Sequence, residues 1–206
     1  GSVSIDGNNI IVGATGSDGK GAAYIFERNG DGTWNTNETH KIQPTELQSG
    51  DGFGVVNIKG NYAIISAQND DTTVTDSGAA YIYEYNAGTS TWEKKSKIKP
   101  STQYLETSSR YGFSVAIEGS NCIVGALFED RDAVQVDDGA VYFYKAASGL
   151  NLNAPATVTV DGTPNPGFQN GEFVSVAPNG THIWVNNTHV NNSYNIRIGG
   201  CYITNS

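Results

Sequence analysis

Apolar and polar residues alternate along four stretches of the chain, and the four stretches share one plan. In each, an alternating apolar run leads to a polar turn containing glycine and then to a second apolar run. The stretches are residues 1–14, 52–67, 111–126 and 172–187, with turn glycines Gly7, Gly60, Gly119 and Gly180. Alternation with a period of two is typical of half-buried strands. Each stretch therefore predicts a β-hairpin, and intervals of 53, 59 and 61 residues between the glycines indicate a repeat architecture.

Each hairpin is followed by a polar loop and then by a further strand that begins with small residues. These third strands are predicted at residues 21–28, 78–85, 139–145 and 199–205, where aromatic and β-branched residues alternate with smaller ones. A fourth strand, opened by Trp and closed by Ile-x-Pro, is predicted at 33–44 and 91–100. A looser version spans 152–162, and the last repeat has none.

The repeating unit is therefore a sheet of four short antiparallel strands, present about four times. Such sheets, repeated radially, form a β-propeller. We expect an all-β, propeller-like array in one repeat domain, with the last blade incomplete. The approximate blades are residues 1–50, 51–109, 110–168 and 169–206. No apolar run approaches the ~20 residues that span a bilayer, so we expect no membrane insertion.

The repeats resemble the FG-GAP repeat, the blade unit of integrin-α-like β-propellers. The residues that carry the resemblance are Phe53-Gly54, Tyr111–Ala116, Gly13-Ala14, Gly125-Ala126 and the Gly-Ala-x-Tyr starts at 21, 78 and 139. The resemblance covers residues 1–145 and, more faintly, 170–206. It implies a propeller that serves in adhesion, ligand binding or structure. Many members bind calcium in an Asp-x-Asp-x-Asp-Gly loop, which this sequence lacks.

The charge balance disfavours two classes of partner. The formal net charge is −9, from 12 basic and 21 acidic residues. Nucleic-acid binding needs a basic surface that displaces phosphate counterions, and anionic lipid attracts clusters of Lys and Arg. We therefore expect neither a nucleic acid nor a membrane as partner.

The last quarter of the chain carries few charges and many asparagines. Asp161, Glu172 and Arg197 are its charged residues, and it contains three of the four N-glycosylation sequons. The sequons are at Asn37, Asn179, Asn186 and Asn191. A chain rich in Asn and Thr also generates sequons by chance. We favour glycosylation, because sugars would supply the hydration that charges elsewhere provide, and we expect a secreted or cell-surface protein.

Two cysteines, Cys122 and Cys201, fall on predicted strands of the third and fourth blades. Because neighbouring blades pack face to face, these cysteines could form a disulfide that fastens the last blade to the body. The alternative is two buried thiols packed as small hydrophobic side chains. Their spacing fits neither a zinc site nor a redox motif.

Acidic residues cluster in two equivalent loops, 68–78 and 127–139, between the second and third strands of their blades. The weak metal candidates are Asp70, Asp71, Asp76, Asp130, Asp132 and Asp137. Clustered carboxylates can hold calcium, but these loops lack the turn glycine and the alternate-residue order of ligands. We expect solvated loops and no cofactor, with calcium as the alternative.

No catalytic residues are predicted. No nucleophile is paired with a base, and no phosphate-binding glycine loop or spaced carboxylate pair stands out. We therefore expect a non-catalytic extracellular glycoprotein module for structural assembly or adhesion. The alternatives are a lectin with glycan sites between blades, suggested by Trp34, Trp92 and Trp184, and a fragment of a larger integrin-like receptor propeller.

The last blade suggests self-association. With only three strands predicted, its outer strand, in residues 194–206, would expose unpaired backbone groups and carries one charge, Arg197. An uncovered strand edge is a template for pairing with another chain. A head-to-tail contact that does not close would build a filament.

Overall fold

The computed structural model describes residues 1–72, 74–99, 107–119, 121–129 and 139–145, and the backbone of three short strands at 174–176, 183–185 and 196–198. These residues form an all-β, propeller-like array of sheets that does not close into a ring. A single 3-10 turn, Ser17–Gly19, is the helical element within the described part of the chain.

The first two sheets each contain four antiparallel strands in chain order, as the repeats predict. The first blade consists of β1 (Ser2–Asp6), β2 (Asn9–Ala14), β3 (Ala22–Glu27) and β4 (His40–Ile42). The second consists of β5 (Phe53–Lys59), β6 (Tyr62–Ala67), β7 (Ala79–Asn86) and β8 (Thr91–Ile98). β4 is shorter than the predicted 33–44, although Trp34 in that range still forms an isolated antiparallel bridge with Arg28.

The third blade departs from the prediction at its outer strand. β9 (Tyr111–Glu118), β10 (Asn121–Ala126) and β11 (Ala140–Lys145) pair antiparallel as expected. The fourth place is taken by β14 (Ile196–Ile198), which pairs in parallel with β11. The looser strand predicted at 152–162 lies outside the described residues.

The fourth hairpin is present as β12 (Val174–Val176) paired with β13 (Ile183–Val185). The expectation that residues 194–206 form the free edge of this blade is wrong for 196–198, which belong to the third sheet. The outer edge of β11 pairs with this strand, and the β-branched residues Ile196 and Ile198 favour a strand. Because the two strands are distant in the chain, the local sequence pattern does not show that they pair. The predicted blade boundaries stay a prediction.

Successive blades stack through their first strands, with β1 against β5, β5 against β9 and β9 against β12. We call the side of a blade that faces the preceding blade its leading face, and the opposite side its trailing face. The trailing face of blade one and the leading face of blade two bury one hydrophobic cluster, which includes Ile11, Ile25, Val56 and Ile58. A second cluster joins blade two to blade three in the same way. The core is therefore a series of layers between blades.

Candidate functional site: the inter-blade contacts and loops

Polar side chains on the first strand of one blade bond the backbone of the next first strand. The Ser2 hydroxyl oxygen accepts from the Val56 amide at 3.2 Å, and the Ser4 hydroxyl accepts from the Ile58 amide at 3.3 Å. Asp6 accepts from the Gly60 amide at 2.8 Å. These side chains occupy alternate positions of β1, so one face of this strand contacts the backbone of β5.

The same interlock joins the second and third blades. The side-chain oxygen of Asn57, which holds the repeat position of Ser4, accepts from the Ile117 amide at 2.9 Å.

An ion pair also joins the first two blades, where Lys59 lies 2.9 Å from Asp6. Hydrogen bonds from the Gly60 amide and from Lys59 hold the pKa of Asp6 below its usual value. Ser2, Ser4 and Asp6 alternate with Val3 and Ile5 along the chain. This alternation could have indicated the contact between blades, but the hairpin prediction did not use it.

Glycines at the start of each third strand let two blades approach backbone to backbone. Gly21 bridges Phe53, and Gly78 bridges Tyr111. Gly78 has a positive φ of +82°, and a Cβ on it would lie 2.0 Å from the Tyr111 carbonyl oxygen. Glycine is required at such a position because of both its backbone angle and the close approach. The contact explains why the Gly-Ala and aromatic-Gly motifs of successive repeats occur together.

A polar residue at the start of each loop contacts the tyrosine of the following strand. Ser17 lies 2.8 Å from the Tyr24 hydroxyl, and the Tyr81 hydroxyl donates to Asp70 at 3.1 Å. In the third blade, the Tyr142 hydroxyl donates to Glu129. The three pairs hold equivalent repeat positions, so the loops between second and third strands share one anchor.

Asp70 is the most strongly engaged of the sequence-predicted acids. Its side chain is 1% exposed, and its two oxygens lie 2.6 Å from Lys97 and 2.6 Å from Lys99. Burial alone would raise the pKa of Asp70, but the hydrogen bonds from Lys97, Lys99 and Thr72 lower it well below its usual value. Asp70 is therefore a buried, neutralised anion.

Blade one contains the same charge arrangement shifted by one residue. Asp18 accepts from Lys41 at 2.7 Å and from Gln43 at 3.4 Å, and Lys41 lies 5.8 Å from the centre of the Tyr24 ring. Lys41 and Gln43 hold the repeat positions of Lys97 and Lys99. The acid and its cationic partner therefore fasten the loop to the outer strand in both blades.

A comparison with known protein families identifies the family to which these repeats belong. The model of the FG-GAP repeat matches residues 1–26, 36–83 and 92–144, which together make up more than half of the chain. The chain belongs to the FG-GAP repeat family. FG-GAP repeats are found in integrin-α-like propellers and in adhesion-related, extracellular or cell-surface proteins, and the family is typically non-catalytic. No curated protein matches the chain.

The calcium alternative for the FG-GAP loops is not supported at Asp70. Both oxygens of Asp70 are engaged by lysine ammonium groups, which would repel a cation from the same carboxylate. Asp71 is exposed and Asp76 partly exposed, while Asp130, Asp132 and Asp137 lie outside the described residues. Among the residues that the structure describes, no group of three His, Cys, Asp or Glu side chains could hold a metal ion.

The sequons and cysteines are only partly within the described residues. Asn37 is exposed between β3 and β4, whereas Asn179, Asn186 and Asn191 lie outside the described ranges. Cys122 is buried at 5% exposure in the cluster between blades two and three, and Cys201 lies outside the described residues. Glycosylation and the disulfide both stay predictions. No helix of the described structure is long and apolar enough to cross a membrane.

Proposed function

We propose that this FG-GAP protein is a non-catalytic extracellular module for structural assembly or adhesion, and that it self-associates. The observation that carries the proposal is the way in which the blades associate. Blades one and two each bury an apolar face against the following blade and bond its first strand. On the opposite face of blade one, Val3 is 72% exposed and Ile5 is 63% exposed. An exposed apolar face whose equivalents are buried in the following blades supports a role as an interaction surface.

The chemistry of the loops supports a structural role. Asp70, Lys97 and Lys99 satisfy one another, and the three loop anchors repeat from blade to blade. Perturbed groups at a catalytic site are arranged to react with a substrate, whereas these groups fasten one strand to another. The ion pairs of Asp70 with Lys97 and Lys99 therefore explain its lowered pKa without a catalytic role.

The two described tryptophans favour assembly over the lectin alternative. Trp92 packs against the core between blades one and two and lies 5.6 Å from the Tyr85 ring. Trp34 lies under the Arg28 guanidinium at 5.9 Å. Sugar recognition needs an accessible aromatic face, and these faces contact protein groups. A glycan array tests the alternative, and saturable binding of one glycan class would favour the lectin.

Light scattering over a concentration series of the purified 206-residue chain tests the proposal. We expect the mean mass to rise with concentration. A strictly monomeric mass up to ~100 μM would contradict self-association, because an interface weaker than about −5.5 kcal/mol could hardly build a stable assembly.

A further inference from the structure

The turn between β3 and β4 contains an asparagine followed by a glycine, Asn29-Gly30. The backbone nitrogen of the residue after an asparagine can attack the side-chain amide carbon, and glycine hinders this attack least because it has no Cβ. Residues 28–33 are all exposed, and a Cβ built on Gly30 would meet nothing within 4 Å. The turn is therefore open to water, and the rest of the chain does not enclose the two groups that could react.

The backbone nitrogen of Gly30 is available for the attack. Among the residues that the structure describes, none accepts a hydrogen bond from the Gly30 amide. The side-chain nitrogen of Asn29 donates to the Thr33 hydroxyl at 2.9 Å. This bond lies at the exposed surface, where water can replace it at little net cost. Rotation of the Asn29 side chain toward Gly30 is therefore only weakly opposed.

Blade two contains the same residue in a more protected setting. Asn86 holds the repeat position of Asn29, but the residue after it is Ala87. The side-chain nitrogen of Asn86 donates to Glu93 at 2.6 Å, and its side-chain oxygen accepts from the Gly88 amide at 2.9 Å. Both ends of this side chain are therefore held by hydrogen bonds, and a methyl group crowds the following backbone nitrogen.

We propose that Asn29 is a site of spontaneous deamidation, which converts residue 29 to aspartate and isoaspartate while Asn86 stays intact. The Gly30 nitrogen bonds to Cγ of Asn29 and loses its proton to water, and the side-chain nitrogen leaves as ammonia. Water then opens the resulting succinimide ring. Cleavage of the bond between the ring nitrogen and Cγ gives aspartate, and cleavage of its bond to the backbone carbonyl carbon gives isoaspartate. Water is the co-reactant, and no atom is oxidised or reduced.

Conversion to isoaspartate changes both the length and the charge of the turn. The Asn29 amide donates to the Thr33 carbonyl at 2.7 Å, and the Gly32 amide donates to the Asn29 carbonyl at 2.9 Å. In isoaspartate the backbone runs through Cγ, so the chain gains one methylene group between these bonds. The former Asn29 carbonyl becomes a carboxylate, one residue from Arg28 and two from Asp31. Because the peptide carbonyl that accepts from Gly32 is lost, we expect the turn to open.

The change should stay local to this end of blade one. Nε of Arg28 donates to the Gly32 carbonyl at 2.8 Å, and the Arg28 guanidinium lies 5.9 Å from the centre of the Trp34 ring. These contacts belong to the turn and should rearrange with it. The paired residues of β3 and β4, 23–25 with 40–42, lie outside the turn. Deamidation would therefore alter an exposed surface of the protein and leave the sheet intact.

The first experiment ages the purified chain at neutral pH and physiological temperature and follows both asparagines by peptide mapping with mass spectrometry. An isoaspartate methyltransferase identifies the isoaspartate product. We expect Asn29 to be converted at least tenfold faster than Asn86 in the same molecules. Equal conversion of the two asparagines would overturn the proposal. So would an intact Asn29 in the folded chain over a period in which a free peptide of residues 26–36 is converted.

Two variants test the physical reasons for the difference. Gly30→Ala should slow conversion of Asn29 at least fivefold, and the open space at Gly30 lets the fold accept the methyl group. Ala87→Gly gives Asn86 the same following residue as Asn29 and keeps its side-chain hydrogen bonds. We expect Asn86 in this variant to be converted at least threefold more slowly than Asn29. Unchanged conversion in Gly30→Ala would overturn the attack by the Gly30 nitrogen, and equal conversion in Ala87→Gly would overturn the protection assigned to the hydrogen bonds.

Discussion

At the scale of single residues, the blades contain buried polar groups that are held by hydrogen bonds and ion pairs within the chain. Asp70 shows this most clearly, because it is buried at 1% exposure and still holds a negative charge. Isolated buried charges are costly, and pairing with hydrogen-bonded cations offsets the cost. Lys97 and Lys99 approach from the end of β8, so this residue joins the loop to the outer strand.

We expect Asp70→Asn to lower the free energy of unfolding by about 3 kcal/mol, because two partly buried lysines lose their counter-charge. Asp71→Asn is the matched control, since Asp71 is the next residue and is exposed. Urea denaturation at neutral pH measures both variants. Equal stability of the two variants would show that the buried ion pairs contribute little.

The difference in stability between the wild type and Asp70→Asn should also depend on pH. The pKa of Asp70 is lower in the folded chain than its usual value of 3.8. Its stabilisation is therefore fully present above about pH 4 and is lost as the pH falls through the folded pKa. The stability difference between wild type and Asp70→Asn should shrink in that acid range. A difference that stays constant there would contradict the assigned charge of Asp70.

At the scale of strands, the sequence predicted the four hairpins and the third strands of the first three blades, because their alternating pattern is local. The third strand predicted at 199–205 lies outside the described residues. β1, β2, β5, β6, β9 and β10 lie within the predicted stretches. The shortened β4 and the parallel pairing of β14 were not predictable in the same way. Trp34 bridges Arg28 but the strand resumes only at His40, and the partner of β14 is distant in the chain. The hydrogen bonds of Ser2 and Ser4 to blade two were also not predicted, because the spacing of residues does not show which strand contacts the next blade.

The bridges between blades predict different effects for two glycine substitutions. Gly60 has a positive φ of +56° but open space around a Cβ, so Gly60→Ala should cost about 1 kcal/mol of unfolding free energy. Gly78→Ala adds a collision with the Tyr111 backbone and should cost about 3 kcal/mol or more. Thermal and urea denaturation of both variants measure the costs. Similar costs would argue against the bridge between blades two and three.

At the scale of the whole molecule, equivalent blades stack in one direction. The repeat period and the alternating pattern were sufficient to predict the propeller-like all-β array, and the Gly-Ala and aromatic-Gly motifs carried the resemblance to the FG-GAP family. They also led to the prediction of self-association, but placed it on residues 194–206, of which 196–198 pair within the third sheet. The exposed apolar residues that support the proposed self-association, Val3 and Ile5, lie instead on β1. Finding them required comparison of the exposure of equivalent residues, which only the folded chain provides.

Amide hydrogen exchange along β1 probes the surface proposed for self-association in the unmodified protein. In dilute solution, the amides of Val3, Ile5 and Gly7 should exchange faster than those of Val56, Ile58 and Gly60, which donate to blade one. As concentration and mean mass rise, we expect the β1 amides to become protected. Protection of β1 that is already complete in the dilute monomer, or association without any change at β1, would contradict the account.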